Sequence, residues 1–126
     1  MSVNNASITG VAGVIIWTGD FPRLLGFYRD TLGLRPRSVK QAFANFEWGG
    51  FRFSIGTHSR IRGASRDPER MMLNFAVDDI HAAHTRLVAA GVRFIRPPER
   101  EKWGGWVSTF QDPDGNTLQL LQLPRE

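Results

Sequence analysis

The chain has 126 residues, 41% of them hydrophobic and 22% charged, with a formal charge of +4. That is enough for one domain with a substantial core, and no apolar run reaches the roughly 20 residues that span a bilayer. The absence of cysteine excludes disulfides, thiolate metal centres and cysteine nucleophiles, and it fits a reducing cytoplasm.

The opening MSVNNASITG lacks the basic and apolar regions of a signal peptide, so the sequence predicts a cytoplasmic protein with no membrane attachment. Residues 11–18 are apolar and β-branched, which predicts a strand. Asp20 follows as an N-cap, and Pro22 stands in the first turn, where its missing donor costs nothing. Leu24, Leu25, Phe27, Tyr28 and Leu32 give a helical apolar face, and Gly33 supplies a left-handed cap. Residues 37–44 hold one strand; Phe46-Glu47-Trp48, the Gly49-Gly50 turn and residues 51–55 then make a hairpin. This first unit is βαβββ.

Residues 57–70 carry Gly, Pro, Ser and alternating charges without periodicity, and read as a connector. The second unit begins with a strand over 71–77. Asp79 caps a helix with Ile80, Ala83, Leu87 and Val88 on its buried side, ending at Gly91. A strand over 92–95 is expected to stop at Pro97-Pro98. A loop over 99–105, a strand over 106–110, a turn at Asp112-Pro113-Asp114-Gly115-Asn116 and a last strand over 117–123 complete it. The Asp20–Gly33 and Asp79–Gly91 spacings differ by a single residue, so the chain states one strand–helix unit twice. The arginines of 58–70 and 93–102 alternate with Asp67, Glu69, Glu99 and Glu101, which leaves no continuous positive stripe for nucleic acid.

Asp20 through Phe27-Tyr28-Arg29-Asp30-Thr31-Leu32-Gly33-Leu34 resembles the first module of the vicinal oxygen chelate superfamily. Trp103-Gly104, with Phe110-Gln111-Asp112-Pro113-Asp114-Gly115-Asn116, resembles the end of its second module. Glyoxalase I, extradiol dioxygenases, methylmalonyl-CoA epimerase, fosfomycin-modifying enzymes and bleomycin-resistance proteins share this fold. The resemblance implies an α+β domain over 1–126, with module one at about 8–56, a connector at 57–70 and module two at 71–123. It implies that the modules form a curved, barrel-like mixed sheet around a cleft, in a two-fold homodimer.

Family enzymes hold a divalent metal through His, Glu or Gln on inward strand positions. Carried over, those positions fall on Gly13, Phe53, Met72 and Gln119. Gly and Phe offer no donor, a thioether suits only soft metals, and a single Gln amide oxygen cannot hold a hard divalent cation alone. The expectation is therefore no metal and no cofactor. His81 and His84 stand three apart on the second helix without a third donor, and His58 lies in the connector.

Strand parity then predicts the cleft lining. If position 13 faces inward, so do Ile15 and Trp17; Met72 brings Asn74, and Gln119 brings Thr117 and Leu121. Phe53 brings Phe51, and the strand over 106–110 offers Trp106, Ser108 and Phe110 or the opposite set. The expected ligand-binding residues are Trp17, Phe53, Met72, Asn74, Trp106 and Gln119, an apolar and aromatic wall with sparse polar groups suited to a small molecule. The basic charge favours an anionic or neutral ligand over cationic bleomycin. The alternative is a glyoxalase-like lyase, isomerase or dioxygenase, for which Glu47, beside Trp48, is the candidate base.

Overall fold

The computed structural model describes residues 6–125. The first five residues, part of the stretch read as lacking a signal peptide, lie outside the described residues. No helix of the described chain is long and apolar enough to cross a membrane.

The first half contains β1 (Gly13–Thr18), α1 (Phe21–Gly26), β2 (Ser38–Lys40), β3 (Phe43–Trp48) and β4 (Phe51–Thr57). The second contains β5 (Leu73–Ala76), α2 (Ile80–Ala89), β6 (Phe94–Arg100), β7 (Trp106–Gln111) and β8 (Thr117–Gln122). Two four-stranded sheets result, ordered β1-β4-β3-β2 and β5-β8-β7-β6. In each, the first strand runs parallel to the fourth and the remaining pairs are antiparallel. The internal repeat is thus a repeat of topology: two βαβββ modules with the same strand order, in sheets that do not close into a barrel.

Both helices start as the sequence predicts. Asp20 accepts from the Arg23 amide at 3.2 Å and Asp79 from the Ala82 amide at 3.1 Å. The first helix differs from expectation in its second half, where Phe27–Thr31 widens into a π-helical turn before Gly33 (φ 79°) reverses the chain. On α2, Ile80 and Leu87 are buried but Val88 faces solvent. The largest departure is β6. Its strand runs through Pro97-Pro98 to Arg100 instead of stopping there, and its register with β7 shifts between Phe94 and Arg96 and again between Arg96 and Glu99. An edge strand with bulges can carry residues that donate no ladder bond, which is why these prolines are tolerated.

One core joins the modules. Val14, Ile16, Phe46, Phe53 and Ile55 from the first sheet pack with Phe75, Phe110, Leu118 and Leu120 from the second, around Leu24, Leu25 and Tyr28 of the first helical segment. The Tyr28 ring lies 5.1 Å from that of Phe53 and 6.3 Å from that of Phe75. Its hydroxyl donates to Asp112 Oδ2 at 2.7 Å, tying the first module to the β7–β8 turn. Asp112 also accepts from the Asp114 and Asn116 amides and the Asn116 side chain. Burial pushes the Asp112 carboxyl above its ordinary value, against the pull of those donors. Burial, then the adjacent Asp112 charge, drives the Tyr28 hydroxyl well above its own. A second cross-module tie is Arg23 Nη2 to Asp114 Oδ1 at 2.8 Å.

Candidate functional site

Because one face of each sheet is spent on the common core, the other face of each is turned outward. On the first sheet that face carries Gly13, Ile15 and Trp17 beside Arg52, Ser54 and Gly56. On the second it carries Asn74 beside Gln119, Gln119 beside Thr109, and Leu121 beside Val107. The six residues predicted to line a cleft therefore divide. Asn74 and Gln119 are direct cross-strand partners, and Gln119 Nε2 donates to Thr109 Oγ1 at 3.3 Å. Trp17 is on the outer face of the other sheet, 39% exposed, with His58 edge-on at 5.4 Å. Phe53, expected on the face of Gly13, is on the opposite one and wholly buried, since it pairs with Val14. Trp106 takes the core-side parity and meets His81 edge-on at 4.8 Å, while Met72 lies just ahead of β5. His84 packs similarly on Phe94, so both α2 histidines serve as ring partners.

The positions that the family fold implies for a metal do not fit one. A Cβ built on Gly13 would sit 2.0 Å from the Arg52 carbonyl oxygen, so neighbouring backbone occupies the space a ligating side chain would need. Phe53 is in the core, and Gln119, whose Nε2 donates to Thr109, leaves a single amide oxygen as donor atom, too little to hold a divalent cation alone. Among the described residues, no three His, Cys, Asp or Glu side chains converge as a metal site.

Beside Gly13, a hollow of about 500 Å³ is lined by Ile15, Asn45, Glu47, Arg52 and Ser54 among others. Ser54 Oγ donates to Asn45 Oδ1 at 2.5 Å, and Asn45 in turn donates to Ser38 at 3.2 Å. Glu47 Oε1 is buried and accepts no hydrogen bond, although Arg37 and Arg52 lie within ion-pair distance at 3.3 and 3.7 Å.

A larger cavity lies elsewhere, at the seam of the modules. It has a volume of about 740 Å³, within the range of small-molecule sites. Its walls are Leu32–Leu34 after the first helical segment, Trp48, Phe51 and Phe53 from the β3–β4 hairpin, residues 73–77, and Ala83, Arg86 and Leu87 of α2. Phe53 and Asn74 are the two predicted site residues that it includes. Five consecutive residues of alternating facing line it, so it runs along the edge of β5 that β8 leaves unpaired. The Val77 amide bonds Leu121 of β8 at 3.0 Å, and by alternation the Asn74 and Ala76 main-chain groups point to the free edge.

Arg86 is the one charged side chain in that lining. Its guanidinium donates to the Thr31 carbonyl at 3.4 Å and has no carboxylate partner among the described residues. Gly33 makes room for it: a Cβ there would stand 2.7 Å from Arg86 Nη2. Sequence reasoning placed Ala83 and Leu87 on the buried side of the second helix but named neither them nor Arg86 or Phe75 among the site residues. The available signal was spacing, because Ala83, Arg86 and Leu87 follow the i, i+3, i+4 pattern of one helix face.

The sequence model of the Glyoxalase/Bleomycin resistance protein/Dioxygenase superfamily matches residues 10–120. The uncharacterised YraH of Bacillus subtilis (strain 168) is 26% identical over 116 residues, covering 82% of this chain and 91% of that one. A glyoxalase/bleomycin resistance protein/dioxygenase from Nocardioides superposes with a TM-score of 0.73 at 22% identity, over 97% of this chain and 88% of that one. A protein of unknown function from Agrobacterium tumefaciens str. C58 does so with a TM-score of 0.72 at 30% identity, over 94% and 98%.

Proposed function

Because the chain belongs to the Glyoxalase/Bleomycin resistance protein/Dioxygenase superfamily, we propose that it is a metal-free small-molecule-binding protein of that superfamily, sequestering a planar or partly apolar ligand. The seam cavity of about 740 Å³ carries this reading. Trp48, Phe51, Phe53 and Phe75 give it aromatic walls, and the polar groups are few and lie at its edges, which suits binding and orientation without bond-making. The donor-poor residues at the family's metal positions support the metal-free part. Trp17 and Gln119, turned to the outer faces, and the exposed Met72 would meet a ligand or the partner subunit in a homodimer. The interleaved charges favour neither nucleic acid nor a membrane surface as partner, and the cysteine-free composition suits the cytoplasm.

The test is a ligand screen by tryptophan quenching, run beside plasma emission analysis after dialysis against Mg²⁺, Mn²⁺, Fe²⁺, Ni²⁺ and Zn²⁺. Saturable quenching that Trp48→Phe diminishes, with no stoichiometric metal retained, is the expected result. Stoichiometric retention of any of these metals would overturn the metal-free reading.

One observation favours a second reading, a lyase, isomerase or dioxygenase: the buried Glu47 oxygen that accepts no hydrogen bond, in the hollow beside Ser54 and Asn45. A carboxylate so placed has spare accepting capacity for a substrate proton. Under the leading reading, Glu47→Gln leaves ligand affinity unchanged; turnover of a screened ligand that Glu47→Gln abolishes would put the enzyme first.

A further inference from the structure

We infer that the seam cavity is built for an amphipathic organic monoanion, a carboxylate on an aliphatic or aryl chain, with the acid group on Arg86 and the chain against Trp48, Phe51, Phe75 and Leu87. This rests on the reading of that cavity as the ligand site, and adds the chemical class of the ligand.

Three observations converge on it. The first is the character of the walls: apart from Asn74 the side chains are apolar or aromatic, with a single charged group among them. A ligand charged at both ends, or polar along its length, would leave groups there without partners, whereas a chain with one charged end would not. The second is the state of that charged group. Arg86 is exposed at the rim and spends one donor on the Thr31 carbonyl, with no carboxylate partner among the described residues. Other arginines of the described chain do find carboxylates: Arg23 pairs with Asp114, Arg52 with Glu47, and Arg96 with Glu99 and Glu101. A guanidinium with a free planar fork beside an apolar cavity matches a carboxylate in both charge and geometry. The third is how the fold holds it there. Arg86 shares a helix face with Ala83 and Leu87, which both line the cavity, and Gly33, lacking a Cβ, lets the guanidinium close over the Leu32–Leu34 wall. The head group is thereby fixed at one end while the walls run inward along β5.

The experiment compares octanoate with octan-1-ol, which share a chain and differ in charge, by calorimetric titration of the full chain, the Arg86→Gln variant and the Ala83→Phe variant, which fills the cavity. Wild type should bind octanoate about tenfold more tightly than octanol, the worth of one charge-assisted contact at a solvated rim. Arg86→Gln should erase that preference and leave octanol affinity unchanged, and Ala83→Phe should abolish binding of both. Arg86 is at the surface, so its variant folds whether or not Ala83→Phe does, as a thermal melt will report. Octanol binding as tightly as octanoate, or octanoate binding that ignores Arg86→Gln, would overturn the ligand class while leaving the cavity a binding site. Binding of neither probe would overturn both readings. Binding that emerges only on dilution to monomer would assign the cavity to a second copy of the chain and likewise overturn the inference.

Discussion

Gly13 shows how a single residue can set the chemistry open to a fold. Its missing Cβ lets β1 approach the Arg52 carbonyl, and a backbone contact fills the place where the family resemblance implies the first metal ligand. Restoring a ligand there means moving a strand. Gly13→His is expected to lose about 1–3 kcal/mol of stability in urea denaturation, as overpacking does, and to retain no metal on dialysis. Tyr28 and Asp112 form the other decisive pair. Tyr28→Phe removes a buried hydrogen bond to a carboxyl group and should cost roughly 1.5–3 kcal/mol. The Asp112 carboxyl is held above its ordinary 3.8, so the folded chain binds that proton more tightly than the unfolded chain does. Stability from this group is full below the ordinary value and falls as pH climbs through the folded one. Urea midpoints from pH 3 upward should show this decline in the wild type and not in Asp112→Asn. In Tyr28→Phe, where one downward pull on the carboxyl is gone, the decline should extend to higher pH.

At the scale of elements, Gly33 ends the first helical segment and seats Arg86. Gly33→Ala must hold a Cβ at φ 79°, at a cost of about 1–2 kcal/mol, and displaces the Arg86 head group; thermal melts together with octanoate titration would report the two effects separately. Most elements were legible in the sequence, because Asp N-caps, glycine turns and apolar runs are local signals. Asp20, Asp79, the Gly49-Gly50 hairpin and the repeated βαβββ order all came from such signals. What local signals cannot carry is which face of a strand the rest of the molecule covers. Phe53 and Trp106 satisfy the alternation rule equally well on either side, and only the shared core determines that both turn toward it. The seam cavity was illegible for the same reason, since its walls come from five separate segments, Leu120 of β8 among them. Pro97-Pro98 read as a stop because the sequence does not announce which strand will lie at an edge.

Across the whole molecule, the two modules are joined through rings more than through ion pairs. Phe53 stacks on Phe46 at 5.5 Å and reaches Phe75 of the second module at 6.1 Å, with Tyr28 between the halves. Removing it opens a void at the junction. Phe53→Ala is expected to cost about 3–5 kcal/mol. Fluorescence and circular dichroism should still report one coincident unfolding transition, because neither module keeps a covered face without the other.

The course of β6 through Pro97-Pro98 also bears on self-association. A sheet edge is a template for a further strand wherever it presents a long row of unsatisfied amides. The outer strand of the second sheet is seven residues long, yet its prolines and bulges break that row. β2 and β5 are only three and four residues long. Among the described residues that leaves β1, six residues without proline or charge and with Ile15 half exposed, as the one edge fit to recruit another chain. Strand-by-strand polymerisation needs two receptive edges on each molecule; with one, growth halts at a pair.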